Sequence, residues 1–108
     1  MINYSYLALG DSYTIGEQVL FAENFPNQTT ALLNTTANNV SHFTAPQIIA
    51  QTGWTTDELA AAINQYRFLP AYDFVSLLIG VNNQYRGRTT AEFEVEFIPL
   101  LQKAIQCA

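Results

Sequence analysis

The chain has 108 residues, nine Asp and Glu against four Lys and Arg, a formal net charge of -5, one Cys, one His and 49% apolar residues, which fits one small domain or part of a larger one. With only Arg67, Arg86, Arg88 and Lys103 as cations it cannot neutralise many phosphates, so nucleic acid and anionic membrane are not expected as partners. Cys107 and His42 stand alone in their types, which excludes a disulfide framework, a multi-ligand zinc cluster and a c-type haem site.

Met1-Ile2-Asn3-Tyr4 lacks the basic start and apolar run of a signal peptide, and no stretch approaches the ~20 apolar residues of a membrane span, so a soluble chain is expected. No internal repeat divides it, and residues 1–108 read as one cooperative unit. Tyr4-Ser5-Tyr6-Leu7-Ala8-Leu9 is short, aromatic and apolar and stops at Gly10-Asp11-Ser12, the signature of a strand running into a turn. From Glu17 to about Asn34 the residues Leu20, Phe21, Phe25, Leu32 and Leu33 suit one apolar helix face, with Pro26 kinking the helix or starting its second half. Asn and Thr crowd the segment from Asn24 to Thr44, and the Asn-x-Ser/Thr matches at Asn3, Asn27, Asn34 and Asn39 follow from that abundance. Gln47-Ile48-Ile49-Ala50-Gln51 is a second short strand, closed by Thr52-Gly53.

Thr55 with Glu58 forms a capping box ahead of the stripe Leu59, Ala62, Ile63 and Tyr66, which predicts a helix from about Thr56 to Arg67. Phe74-Val75-Ser76-Leu77-Leu78-Ile79 is almost uninterruptedly apolar, as a parallel strand covered on both faces must be. Thr89 with Glu92 is a second capping box, followed by Phe93, Phe97, Leu100, Leu101, Ala104 and Ile105 on one helical face, with Pro99 a kink or restart; Phe93, Phe97 and Leu101 read most simply as core. The order β-α-β-α-β-α demands crossover connections and gives an α/β protein with a three-strand parallel sheet. A strand as apolar as Phe74 to Ile79 exposes an oily edge unless it is central.

Functional groups of open α/β sheets gather at the carboxyl ends of the strands. Gly10-Asp11-Ser12, Thr52-Gly53-Trp54 and Gly80-Val81-Asn82-Asn83 occupy those three ends. Ser12 supplies a hydroxyl and Asn82 a carboxamide, and the glycines allow close backbone approach. Acyl transfer needs an oxygen nucleophile with preorganised donors for the developing oxyanion; the Ser12 and Gly53 N–H groups and the Asn82 amide are candidates.

These blocks resemble the GDSL, or SGNH, hydrolases, a superfamily of esterases and lipases with a three-layer flavodoxin-like fold. Gly10-Asp11-Ser12 matches the family's first block, Gly53 its isolated second-block glycine, and Gly80-Val81-Asn82-Asn83 its third, usually Gly-x-Asn-Asp. The resemblance implies a serine ester hydrolase with Ser12 as nucleophile and Ser12, Gly53 and Asn82 as oxyanion hole. Asp11, Trp54 and Asn83 are read beside the substrate, with Asn83 where the family usually has Asp. A small ester is implied as substrate, with no metal or cofactor. The family's fourth block, an Asp-x-x-His that supplies the general base, has no counterpart, since no Asp here is followed by His three residues later. The chain is therefore expected to be the amino-terminal part of such a domain, stopping after about three βα units and nearly inactive alone, because loss of a triad member costs on the order of 10⁴ to 10⁶ in turnover. It is expected to self-associate or to pair with a missing carboxyl-terminal half. The alternative function is a non-catalytic ligand-binding or assembly domain that keeps the oxyanion pocket.

Other readings stand beside these. Ser12 alone is an ordinary turn or cap residue. Asp11 as a phosphotransfer nucleophile or magnesium ligand is opposed by Tyr13, where dehalogenase-like enzymes carry a second Asp, and Gly10 to Gly16 lacks the Lys of a phosphate loop. His42 is a loop histidine or a surrogate base. Trp54 packs on the sheet or shapes an acyl pocket. Tyr85, Arg86 and Arg88 hold a polar or anionic substrate group, or are solvated.

Overall fold

A computed structural model describes residues 2–36 and 41–108; the tripeptide starting at Asn39 lies partly outside them. The strands are β1 (Ile2–Tyr4), β2 (Tyr6–Gly10), β3 (Ser41–Phe43), β4 (Gln47–Ala50) and β5 (Phe74–Leu78). The helices are α1 (Ser12–Ile15), α2 (Phe25–Thr36), α3 (Thr56–Ile63), α4 (Val81–Tyr85) and α5 (Thr90–Cys107), with a 3-10 turn at Phe21–Glu23. No helix among the described residues is long and apolar enough to cross a membrane.

The main sheet has the order β4-β2-β5, all parallel, so the first predicted strand is central. All five β2 residues are buried, as a central strand requires. Gly10 is level with Ala50 on one side and Leu78 on the other, which brings all three strands to their carboxyl ends together. One face carries Leu7, Leu9, Ile49, Val75 and Leu77 and is covered by α3 and α5 through Leu59, Ile63, Leu100, Ala104 and Cys107. The other carries Tyr6, Ala8 and Ser76, where the Tyr6 hydroxyl lies 2.8 Å from Ser76 Oγ.

Several elements differ from the sequence expectation for local reasons. The first strand is broken at Ser5, whose N–H turns to donate to Asp73 Oδ2 (2.8 Å) at the entrance to β5. Ahead of the break β1 pairs in parallel with β3, a second small sheet that the sequence reading missed; Asn34 of α2 holds it by accepting from Phe43 N–H and donating to Phe43 C=O. The helix expected from Glu17 is instead the 3-10 turn and α2, and the short α1 ahead of Glu17 was not foreseen. Pro26 is the second residue of α2, where its missing N–H is harmless, and buried Asn24 caps that helix by accepting from Asn27 N–H while donating to Ile15 C=O. Leu20, Phe21, Phe25, Leu32 and Leu33, read as the apolar residues of that helix, are exposed. Helix α3 ends at Ile63 rather than Arg67, α4 was not foreseen, and α5 runs through Pro99 as one helix. On α5, Leu101 is exposed rather than core, and Phe93 and Phe97 are half-buried and stacked on each other.

The tightest point of the layer packing is Gly10, which meets both α1 and β5. A Cβ there would stand 2.1 Å from Thr14 Oγ1 and 2.8 Å from Leu78 O. Backbone on one side and a fully buried threonine on the other cannot both yield. Gly10→Ala is expected to destabilise the protein by about 1–3 kcal/mol, the usual cost of overpacking, read as a lower urea midpoint at unchanged m-value.

Candidate active site

Because the three strands end level, the segments that follow them share one edge of the sheet. Ser12 follows the central strand as first residue of α1, half-buried; Gly53 lies in the turn after β4; Asn82 lies in α4, after β5. Gly53 and Asn82 thus follow the two strands that pair with β2 on either side, and Ser12 follows β2 itself.

Two contacts tie the outer tips to each other. Asn82 Nδ2 donates to Trp54 C=O (2.9 Å), and Arg86 Nη2 donates to Gly53 C=O (2.7 Å). The Gly53 turn is thus held by α4 on both sides of its last peptide. Gly53 has φ +85, a left-handed conformation that glycine adopts without the strain a side chain would add.

Asp11 and Asn83, read from the sequence as substrate contacts, are buried and turned toward the protein's own backbone. Asp11 Oδ1 accepts from Tyr13 N–H (3.0 Å) and caps α1, fixing the turn that presents Ser12. Asn83 Oδ1 accepts from Thr56 N–H (3.1 Å) and its Nδ2 donates to Thr56 Oγ1 (2.8 Å), leaving the Thr56 hydroxyl proton for Glu96 Oε1 (3.0 Å). A carboxamide suits this place because it accepts and donates at once; a carboxylate cannot donate, and would set a second negative charge near Glu96. Trp54 is partly buried and packs against the core.

The arginines form ion pairs within the chain. Arg86 pairs with Glu58 (3.1 Å), and Arg88 with Asp57 (2.5 Å) and more distantly Glu96 (3.8 Å). Together with the N–H of Thr55 donating to Glu58 Oε1 (3.1 Å), they lock the start of α3 to α4 and its exit. Thr56 and Glu96 are supporting residues that sequence reasoning missed, and Arg86 and Arg88, read as substrate contacts or solvated, form ion pairs within the chain instead.

His42 sits in β3, level with Asn3 of β1, ahead of the main sheet. Asn3 precedes Gly10 by seven residues, roughly 20 Å of extended chain. The reading of His42 as a surrogate base for Ser12 is therefore overturned: it lies toward the opposite end of the strands. Among the described residues no three His, Cys, Asp or Glu side chains converge as metal ligands.

The carboxylates split by environment. Hydrogen bonding from the Thr55 hydroxyl, then pairing with Arg88, lowers Asp57 to about 2. Burial raises Asp11 above the ordinary range, only partly opposed by its backbone hydrogen bonds. A raised native-state value means the ionised form is penalised on folding, a penalty present at neutral pH that vanishes as pH falls through that raised value. Asp11→Asn, which keeps an oxygen for Tyr13 N–H, is expected to raise the melting temperature at pH 7, with the gain fading toward pH ~4. Asn83→Ala leaves the buried Thr56 N–H unpartnered and is expected to cost about 1–3 kcal/mol in urea unfolding.

No family model matches the chain, and no curated protein matches it. Solved structures do. AlinE4, an SGNH-hydrolase family esterase, superposes with TM-score 0.76 at 21% identity over 95% of this chain and 53% of its own. The psychrotrophic esterase EstA from Pseudoalteromonas sp., in a structure inhibited by monoethylphosphonate, gives 0.71 at 17% identity over 96% of this chain and 55% of its own. A member of the lipolytic protein G-D-S-L family from Veillonella parvula gives 0.71 at 16% identity over all of this chain and 55% of its own. The chain spans about half the length of these structures.

Proposed function

We propose that the chain, whose α/β architecture with a parallel sheet is similar to that of solved SGNH hydrolases over about half of their length, carries the nucleophile and oxyanion-binding part of a serine ester hydrolase. Ser12 Oγ attacks an ester carbonyl to give an acyl-serine and release the alcohol, and water then frees the acid. The Ser12 and Gly53 N–H groups and the Asn82 amide receive the charge that develops on the carbonyl oxygen.

The observation that supports this reading is the Asn82–Trp54 hydrogen bond, which ties the carboxamide to the residue that follows Gly53. A carboxamide has two N–H donors; one is held by Trp54, and the other is left for an oxyanion with its orientation already fixed. Asp11, Asn83 and Arg86 act beneath the site as positioning residues. The proton of Ser12 needs a base, and the chain's single imidazole is remote, so the isolated chain turns over esters slowly at best. That same distance favours a second reading, a ligand-binding or assembly domain that keeps the pocket without the chemistry.

External imidazole separates the two. With a fluorophosphonate and imidazole buffer, Ser12 is expected to be phosphonylated faster as imidazole rises. Ser12→Ala should abolish labelling, and Asn82→Ala should slow it by roughly 10²–10³, the effect of removing one oxyanion donor. Labelling that survives Ser12→Ala, or that ignores Asn82→Ala, would sink the hydrolase reading. Binding of a small ester without labelling would favour the second.

A further inference from the structure

The turn after β4 has a weakness at its centre, because its glycine is not packed. A Cβ on Gly53 would meet a single atom beyond its chain neighbours within 4 Å, Arg86 Nη2 at 3.9 Å. Glycine rotates about its backbone bonds more freely than any other residue. In open space its N–H keeps one direction only where hydrogen bonds hold the adjoining peptides.

Arg86 supplies that hold. Its Nη2 donates to Gly53 C=O (2.7 Å), and its own N–H donates to Asn82 C=O (2.9 Å), so Asn82 and Arg86 stand one helical turn apart and reach the same turn. The other arm of the guanidinium, Nη1, lies 3.1 Å from Glu58 Oε1. That oxygen also accepts from the N–H (3.1 Å) and the hydroxyl (2.9 Å) of Thr55, which caps α3. The N–H and hydroxyl of Thr55, and then Arg86, hold the Glu58 carboxyl below its ordinary value, so it stays charged through neutral pH.

We propose that Glu58 and Arg86 form a latch on the oxyanion turn: the guanidinium fixes the Gly53 carbonyl and with it the direction of the Gly53 N–H, and Glu58 fixes the guanidinium. Both are positioning residues, and their role depends on the proposed oxyanion function of Gly53. Two acceptors at two nitrogens require a fork, so a lysine, with its charge at one point, cannot replace Arg86. The paired side chains are 46% and 41% exposed, and a pair so open to water adds little to stability. The latch is therefore read in reactivity rather than in folding. An Arg86 engaged at both arms is also not free to hold an anionic substrate group, the other role open to it.

An uncharged fluorophosphonate in imidazole buffer reads the latch through Ser12. Arg86→Ala and Arg86→Lys are each expected to slow phosphonylation ~tenfold, with circular dichroism and urea midpoint little changed. Millimolar guanidinium should restore part of the rate to Arg86→Ala and none to Asn82→Ala. Glu58→Gln keeps the capping-box oxygen and loses the counter-charge; it should slow labelling about two- to fivefold, and should add nothing once Arg86 is alanine. Arg67→Ala removes an exposed cation from the segment between α3 and β5 and should leave the rate unchanged. Equal labelling of wild type and Arg86→Ala overturns the latch. So does a loss that guanidinium leaves in place, a loss confined to anionic probes, or a Glu58→Gln effect that persists without Arg86. The two failures are distinct: labelling that survives Ser12→Ala removes the hydrolase reading itself, whereas Ser12-dependent labelling that ignores Arg86 removes only the latch.

Discussion

The parallel register that sets Gly10 level with both Ala50 and Leu78 is the constraint on which the rest depends. Side chains in a strand alternate, so a one-residue slip of β4 or β5 would turn Ile49 or Leu77 out of the core and move Gly53 or Asn82 away from Ser12. Core and site are thus specified by the same pairing. The absence of a side chain at Gly10 is part of this, because Thr14 and the Leu78 carbonyl close over the space it leaves.

The main sheet was legible in the sequence because its strands are short apolar runs ended by glycine or polar turns, and the starts of α3 and α5 because Thr55–Glu58 and Thr89–Glu92 are capping boxes. The three tips were legible for a different reason: serine, glycine and asparagine stand at strand ends where packing does not ask for them. The small sheet of β1 and β3 was hidden, since three-residue strands carry no period and their fixation comes from Asn34, Ser5 and Asp73, distant in sequence. Helix α2 misled in another way. Its Phe25, Leu32 and Leu33 stand at helical spacing, yet the contacts that hold it are polar, with Asn24 capping one end and Asn34 gripping β3 near the other.

The supports of the site were illegible because they are pairwise. Asn83 and Thr56 are twenty-seven positions apart, and neither is unusual alone. Their bonds matter because a polar group taken from water must find a partner, and here each donor finds an acceptor in turn from Asn83 to Thr56 to Glu96. Burial of such a chain fixes α3 against α4 more sharply than apolar contact would, which is what an amide and a glycine turn need if they are to face one carbonyl oxygen together.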